Sequence, residues 1–336
     1  MISAPKKGQI VIKSLKIMGF FAAFVSLWLV AHTAHADYKA GLEAVKNKDY
    51  KKAFSEFSAD ARKGHPASQY ALALLFHRGR GRPVSFRLAR SWYEKAAKQD
   101  HAGAQNNLAT MYRDGLGTRQ DYVKAAFWFR KASAKHALAM NSLALLHRYG
   151  LGVKKSNKEA ARLLRKAGEE SGHAKSLYDL GRLYEKGRGV KKDINEAFKL
   201  YRRAALKRYG RAQYTLGLLY HKGKGVKRDY EKAMRWYSFA MDQKYASAFY
   251  GAGILNQLGL GTTKNIKEAI RLYTESSKKG HRIAPYMLGQ LHETGTGVPK
   301  NRAEAIKWYQ LSAKRNYARA AARLNKLTSK KSKTNS

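Results

Sequence analysis

A pair of glycines separated by one residue recurs along this chain at a nearly constant interval. It occurs seven times, and successive pairs are 36, 35, 37, 36, 36 and 36 residues apart. The pairs are Gly79/Gly81, Gly115/Gly117, Gly150/Gly152, Gly187/Gly189, Gly223/Gly225, Gly259/Gly261 and Gly295/Gly297. Self-similarity with a period of about 20 to 50 residues is typical of solenoids, in which each unit buries its apolar face against its neighbours. The repeat therefore predicts an array of stacked units that acts as a binding scaffold.

Apolar residues follow helical spacing on both sides of each pair. A small residue stands 11 positions before the first glycine in every unit, and leucine stands seven positions before it in six of the seven units. Alanine stands eight positions after the second glycine in every unit, and tryptophan or leucine stands 11 positions after it. Spacings of three, four and seven residues define one face of an amphipathic helix. Each unit is therefore predicted to be helix A, a glycine-containing turn and helix B.

The turn chemistry agrees with this division. Glycine at the end of helix A suits a left-handed C-cap, which costs a residue with a Cβ about 1 kcal/mol or more. Residues that favour the N-cap position stand in one register before helix B, namely Ser85, Asp121, Ser156, Asp193, Asp229, Asn265 and Asn301. A one-residue deletion near Lys135 and a one-residue insertion near Gly172 fall between helix B and the next helix A, where we expect a loop to absorb them.

Both ends of the array depart from the repeat. Residues 37–66 match the unit without the glycine pair, and residues 318–328 are predicted to be a capping helix A that closes the stack. Residues 329–336 form a polar, basic tail that we expect to be disordered. The predicted fold is all-α: an α-α superhelical solenoid over residues 37–328, with about eight helix pairs plus a C-terminal capping helix.

The first 36 residues have the pattern of a secretory signal peptide. Four lysines precede an apolar run over residues 17–31, and Ala34-His35-Ala36 follows as an A-x-A cleavage site. Cleavage after Ala36 would give a periplasmic or secreted protein that begins at Asp37. An uncleaved anchor is the alternative, although 15 apolar residues are short for a membrane span of about 20. The chain has no cysteine, which excludes disulfides.

The run from Ala212 to Tyr237, AQYTLGLLYHKGKGVKRDYEKAMRWY, resembles the Sel-one-like repeat (SLR), a relative of the tetratricopeptide repeat with a longer, glycine-containing turn. The resemblance covers nearly all of residues 37–328. It implies a right-handed α-α superhelix that serves as an adaptor for other proteins. Exported bacterial members are associated with envelope assembly, peptidoglycan enzymes, exopolysaccharide systems, signalling and host entry. Asn256, His147 and His292 depart from the aromatic register of helix A, and Ala252 departs from its leucine register.

Three patterns that suggest chemistry are better explained by structure. The glycine pair follows a helix rather than a strand, which disfavours a phosphate-binding loop. Five histidines occupy one register, but units about 10 Å apart cannot bring them into one metal coordination sphere; they are His65, His101, His136, His173 and His281. Ser276 and Lys279 match S-x-x-K without the partner motifs S-D-N and K-T-G. We therefore expect no metal, no cofactor and no catalysis, and an envelope hydrolase is the disfavoured hypothesis.

Helix A carries the first surface of interest. If helix A lines the concave side, as in tetratricopeptide arrays, the residue nine positions before the first glycine faces the groove. Tyrosine fills this register in four consecutive units, and we call these residues the groove tyrosines: Tyr178, Tyr214, Tyr250 and Tyr286. Tyrosine offers a rigid contact area with a hydroxyl, which suits recognition of a peptide or a sugar ring. The alternative is that these rings simply cover adjacent helices.

The turns carry the second surface. The chain has 67 basic and 23 acidic residues, a formal net charge of +44. Many of the cations fall in the turns, and we define the basic edge as Arg80, Arg188, Lys191, Lys192, Lys224, Lys227 and Arg228. A row of like charges suggests an anionic ligand. Lipopolysaccharide phosphates, carboxylates of peptidoglycan or exopolysaccharide, anionic lipids and an acidic protein all fit; a generally solvated basic surface is the alternative.

These features lead to two hypotheses about function. The first is a non-catalytic envelope adaptor that holds a protein partner in the groove while its basic edge favours anionic envelope polymers. The second is a direct polyanion-binding protein without a dedicated protein partner. Nucleic acid fits the charge, but the export signal argues against it. The sequence leaves the partner and the oligomeric state open.

Overall fold

The computed structural model describes residues 38–329, and every regular element in that range is a helix. The chain divides into two compact units, Met1–Ser156 and Asn157–Ser336. The helices of the first unit are α1 (38–46), α2 (Tyr50–Arg62), α3 (Pro66–Arg78), α4 (Phe86–Lys98), α5 (Ala102–Asp114), α6 (Tyr122–Ala132) and α7 (Ala137–Tyr149).

The second unit continues the same alternation of A and B helices. Its helices are α8 (Asn157–Arg165), α9 (Ala174–Lys186), α10 (Ile194–Leu206), α11 (Gly210–Lys222), α12 (Tyr230–Asp242), α13 (Ala246–Leu258), α14 (Ile266–Lys278), α15 (Ala284–Thr294), α16 (Arg302–Lys314) and α17 (Ala318–Ser329). In chain order, the described helices make eight A–B pairs followed by a closing helix. This confirms the predicted all-α superhelical repeat fold.

Small residues bring helix A and helix B together. The alanine eight positions after the second glycine is fully buried in each of the seven repeats, for example at Ala197 and Ala233. Four residues later, a large side chain fills the space between the two helices; Tyr201, Tyr237 and Tyr273 are among the largest fully buried side chains. Each core is thus a local layer between neighbouring helices, as expected when repeats bury their apolar faces against one another.

The seven predicted C-caps are present, and so are six of the seven predicted N-caps. All seven first glycines have left-handed backbone, with φ between 64° and 76°, and this confirms their role as C-caps of helix A. Six predicted N-cap side chains accept a hydrogen bond from a backbone N–H in the first turn of helix B, with N···O distances of 2.8–3.4 Å. They are Ser85, Asp121, Asp193, Asp229, Asn265 and Asn301.

The second glycine of each pair has a separate role. At Gly189, φ is 72°, and a Cβ would stand 2.2 Å from the carbonyl carbon of Asn157, the first residue of α8. Real Cβ atoms essentially never approach another heavy atom closer than 3.0 Å. The turn therefore packs backbone against backbone on the start of the preceding helix B, which leaves no room for a side chain.

The extra residue near Gly172 is accommodated differently from the prediction. We expected a loop to absorb it, but residues Lys166–Glu170 instead continue α8 as a π-helical turn. A π turn closes i→i+5 hydrogen bonds and so takes up an additional residue without breaking the helix. His173 then begins the next helix A in the usual register.

The predicted signal peptide, residues 1–36, lies outside the described residues. So does the predicted tail beyond Ser329, which is the last residue of α17. The segment boundaries at the two ends therefore stay predictions.

Candidate functional site

The groove tyrosines lie on four A helices of the second unit, α9, α11, α13 and α15. Each ring packs against the buried tyrosine of its own helix B, with ring centroids 5.3–6.0 Å apart. Each also packs against the aromatic residue that precedes the next helix A, with centroids 4.6–5.4 Å apart. The rings thus connect one repeat to the next. In doing so they cover parts of the adjacent helices, which was the alternative to a binding role in the sequence analysis.

Their burial is not uniform. Tyr178 is 8% exposed, whereas Tyr214, Tyr250 and Tyr286 are half-buried. Burial, together with the nearby Tyr245 hydroxyl, raises the pKa of Tyr214 to about 12. The Tyr214 hydroxyl is therefore protonated at neutral pH and able to donate a hydrogen bond.

Two of the groove tyrosines line an open cavity between α9 and α11. Its volume is about 500 Å³. We call it the α9/α11 groove; besides Tyr178 and Tyr214, it is lined by Arg182, Glu185, Tyr201, Arg211, Thr215, Leu218, Leu219, Lys222, Lys224 and Tyr245. Tyr250 and Tyr286 do not line it, so the structure does not bring all four groove tyrosines to one cavity.

Among residues 38–329, Glu185 is the only acidic side chain that lines this groove, and it is already engaged. The Tyr201 hydroxyl donates to Oε2 at 2.8 Å, and the Lys224 ammonium lies 2.6 Å from Oε1. Partial burial alone would raise the pKa of Glu185, but the hydrogen bonds from Lys224 and Tyr201 lower it below its ordinary value. Glu185 is therefore a charged carboxylate at neutral pH whose charge Lys224 balances.

The other three cations of the groove lack such a partner. Arg182, Arg211 and Lys222 make no ion pair with any of residues 38–329. The groove consequently carries uncompensated positive charge between aromatic walls. Arg182 and Arg211 were not among the site residues predicted from the sequence. The signal was available for Arg182, because a residue four positions after Tyr178 lies on the same helix face.

The basic edge is split between the two units. In the first unit, Arg80 is half-buried, and its guanidinium carbon lies 5.0 Å from the centroid of the Tyr50 ring. In the second unit, the six other edge residues are exposed in the turns after α9 and α11: Arg188, Lys191, Lys192, Lys224, Lys227 and Arg228. Lys224 alone among these six bonds to a groove residue, through Glu185. The edge and the groove therefore meet at Lys224.

Two histidines of the shared register have a structural role as hydrogen-bond acceptors at the start of helix A. The Nδ1 atoms of His101 and His281 accept the backbone N–H groups of Ala104 and Ala284 at 3.1 and 3.2 Å. Accepting such a bond requires the neutral ring. Burial, with Arg282 and Arg315 nearby, lowers the pKa of His281 to about 4. No group of three potential ligands for a metal ion occurs among residues 38–329.

Two serines resemble nucleophiles in sequence or geometry. Ser276, from the S-x-x-K match, is fully buried and donates to the Ala246 carbonyl at 2.7 Å. Ser68 forms a cluster that the sequence reasoning missed, because its Oγ donates to Asp60 and lies 3.0 Å from His65 Nδ1. Ser68 and Asp60 are both fully buried. Neither hydroxyl is accessible to a substrate, and both tie a helix end to its neighbour.

Comparison with known families follows the same periodicity. Seven consecutive segments match the Sel1 repeat, at residues 66–101, 102–136, 137–171, 174–209, 210–245, 244–281 and 283–317. The chain belongs to the Sel1 repeat family. Sel1 repeat proteins are generally non-catalytic scaffolds that commonly mediate protein–protein interactions.

Solved structures show the same fold. A protective antigen of uropathogenic Escherichia coli with an SLR fold is 30% identical, has a TM-score of 0.73 and matches over 88% of this chain. The present chain spans only 64% of that antigen's length. A Sel1 repeat protein from Oxalobacter formigenes is 32% identical, with a TM-score of 0.65 over 71% of this chain and 96% of its own. No protein of curated function matches the sequence.

The yeast protein Tom70 is similar in fold alone, with a TM-score of 0.50 and 16% identity over 89% of this chain and 64% of its own.

Within residues 38–329, no helix combines the length and the apolar character needed to span a bilayer.

Proposed function

We propose that this Sel1 repeat protein is a non-catalytic adaptor of the cell envelope that holds a protein partner in the α9/α11 groove. The observation that carries this proposal is the composition of the groove: tyrosine rings and two leucines line it beside three cations that make no ion pair with a described residue. Aromatic side chains with a polar atom and arginines are the residues that most often dominate binding at protein interfaces. Glu185, the one carboxylate that the described part of the chain places in the groove, is engaged with Lys224 and Tyr201, which supports a binding role rather than acid–base chemistry.

The proposed location rests on the N-terminal segment. A basic stretch, an apolar run of 15 residues and Ala34-His35-Ala36 together favour export and cleavage after Ala36. The mature protein would then be periplasmic or secreted. The absence of cysteine is compatible with an oxidising compartment, because no thiol is available for unwanted oxidation there.

The basic edge supports an additional attraction to anionic envelope polymers or lipid surfaces. Arg188, Lys191, Lys192, Lys227 and Arg228 are exposed and make no ion pair with residues 38–329. If this surface acts alone, the protein is a direct polyanion-binding protein without a dedicated partner. That second function is favoured by the same exposure and by the net charge of +44.

Site-specific photocrosslinking in intact cells tests the adaptor. A photoreactive amino acid at Leu218, in the groove, should capture a defined protein, whereas the same group at exposed Arg202 on α10 should not. Capture should persist at salt concentrations that release protein held only by exposed charges, because contacts in a partly buried groove are screened much less. If Leu218 gives no protein adduct, or if Arg202 gives the same adduct, the groove is not the site of a partner.

The second function has its own variant and control. Changing Lys191, Lys192 and Lys227 to Glu should release the protein from envelope fractions, if the basic edge is what holds it there. Changing Arg202, Arg203 and Lys207 to Glu alters the net charge equally at exposed positions outside the edge. Equal retention of both triple variants would remove the basis for polyanion binding at the edge.

A further inference from the structure

We infer that the α9/α11 groove recognises an acidic peptide segment in extended conformation. This inference rests on the proposed adaptor function and specifies the chemistry of the partner. Its three supports are the unpaired charge of the groove, the spacing of the cations along it, and the apolar surfaces between them.

The charge of the groove is one-sided. Arg182 comes from α9, and Arg211 and Lys222 come from α11, so the two walls both contribute cations. The carboxylate of Glu185 does not offset them, because it is bonded to Lys224 at 2.6 Å. Cations brought together without counterions repel one another, and a ligand with carboxylates relieves this repulsion. Arginine also matches a carboxylate in bidentate geometry.

The spacing of the cations fits a short stretch of chain. Arg211 lies in the first turn of α11 and Lys222 is its last residue, 11 positions later. At a rise of about 1.5 Å per residue, the two positions are about 16 Å apart along the helix. An extended peptide covers that distance in about five residues. Arg182 lies on the opposite wall. Side chains four residues apart on an extended chain point to the same side and lie about 13 Å apart, so two such carboxylates would both reach the flexible cations of α11.

The surfaces between the cations indicate a peptide rather than a uniform polyanion. Tyr178, Tyr214 and Tyr245 present ring surface, and Leu218 and Leu219 present aliphatic surface to the same cavity. A polysaccharide or phosphate polymer supplies charge but no apolar side chains to cover these groups. A peptide supplies both, since alternate side chains of an extended chain point to opposite sides. The exposed turns, in contrast, offer charge without such walls.

Fluorescence anisotropy with defined peptide pools tests this inference on the full mature chain. One pool of nine-residue peptides has Glu fixed at positions 3 and 7, on the same side of an extended chain, and mixed residues elsewhere; the matched pool has Gln at both positions. The Glu pool should bind roughly tenfold or more tightly than the Gln pool, as expected when charged pairs form in a partly desolvated site. Equal binding of the two pools would overturn the acidic specificity while leaving a groove-binding adaptor intact.

Paired variants locate the binding site. Arg182→Gln with Arg211→Gln should weaken binding of the Glu pool about tenfold and leave the Gln pool unchanged. Arg202→Gln with Arg203→Gln removes the same charge from exposed positions of α10 and should leave both pools unchanged. An equal loss in the two double variants would place the effect in net charge and overturn the inference. Far-ultraviolet circular dichroism of both variants verifies that each is folded.

Three other results have distinct meanings. If alginate oligosaccharides bind, depend on Arg182 and Arg211, and compete out the Glu pool without any preference for Glu over Gln peptides, the ligand is a polyanion and the peptide inference is wrong. If neither peptide pool binds although Leu218 crosslinks a protein in cells, the groove holds a folded surface rather than an extended segment. If neither pool binds and Leu218 gives no adduct, the adaptor function itself fails.

Discussion

The packing of one turn on the next makes Gly189→Ala a sharp test of how the repeats stack. Gly189 has φ of 72°, and a Cβ there would lie 2.2 Å from the Asn157 carbonyl carbon and 2.3 Å from its oxygen. Gly280 in the same unit has φ of 86°, yet a Cβ there would meet nothing within 4 Å. The two sites share the left-handed backbone and differ in the space around it, so Gly280→Ala is the matched control.

The expected loss of unfolding free energy follows from two contributions, the left-handed backbone and the space available to a Cβ. Left-handed backbone costs an alanine about 1–2 kcal/mol, partly offset because alanine restricts the unfolded chain. Gly280→Ala should therefore cost about 1 kcal/mol. At Gly189, the overlap involves backbone atoms that cannot rotate away, and forcing extra atoms into a packed site typically costs a further 1–3 kcal/mol or so. Gly189→Ala should cost about 2–4 kcal/mol.

Urea unfolding followed by far-ultraviolet circular dichroism measures both variants against the parent protein. We expect the urea midpoint to fall clearly further for Gly189→Ala than for Gly280→Ala. If the two variants lose the same stability within about 0.5 kcal/mol, only the backbone conformation matters at the second glycine. The proposed contact between the turn and the preceding helix B would then contribute nothing.

Three further predictions use the same unfolding measurement. His281→Tyr should reduce the loss of stability on acidification: the folded-state pKa of His281 is lowered to about 4, so its contribution is present above about pH 6.5 and lost as pH falls toward 4. Tyr245 and Tyr317 already fill this register, and a steeper acid loss in the variant would contradict the argument. Asp193→Ala should cost about 1 kcal/mol, because its carboxylate accepts two backbone N–H bonds at 2.9 Å, and Asp193→Asn should cost less. Lys244→Gly should stabilise by about 0.5–1 kcal/mol, because Lys244 has φ of 57°; a lower midpoint would refute this.

The repeat made the fold predictable because each prediction could be checked against six other copies. Glycine C-caps, N-caps before helix B and buried alanines are local requirements that leave the same residue type at one register in successive units. Features without a residue preference escaped this reasoning. Arg208 and Lys244 adopt left-handed backbone at the end of helix B, where Gly280 stands in an equivalent turn, and nothing in their side chains signals it.

The groove was harder to predict for a different reason. Sequence periodicity places Tyr178 and Tyr214 on equivalent faces, but it does not state how far the gap between α9 and α11 opens. Arg182 and Arg211 come from different repeats, and they line the same cavity only because those two repeats pack against each other. The bond from Lys224 to Glu185 likewise spans 39 residues of sequence. Such contacts depend on tertiary geometry, which local spacing does not encode.

A repeat protein acquires specificity where its copies differ. Four A helices of the second unit differ at the position five residues before the first glycine of the pair. In chain order they carry Arg182, Leu218, Ile254 and Gln290 there, so α9 alone of these four helices has a cation at this position. The position two residues before the first glycine also differs in its contacts from repeat to repeat. Glu185 bonds Lys224 beside the groove, whereas the equivalent Glu293 bonds Arg323 of the closing helix α17. One register thus supplies an ion pair beside the α9/α11 groove in one repeat and an ion pair to the closing helix in the last repeat. Residues shared by all copies build the stack, and residues that differ between copies, such as Arg182 on α9, give the α9/α11 groove a lining of its own.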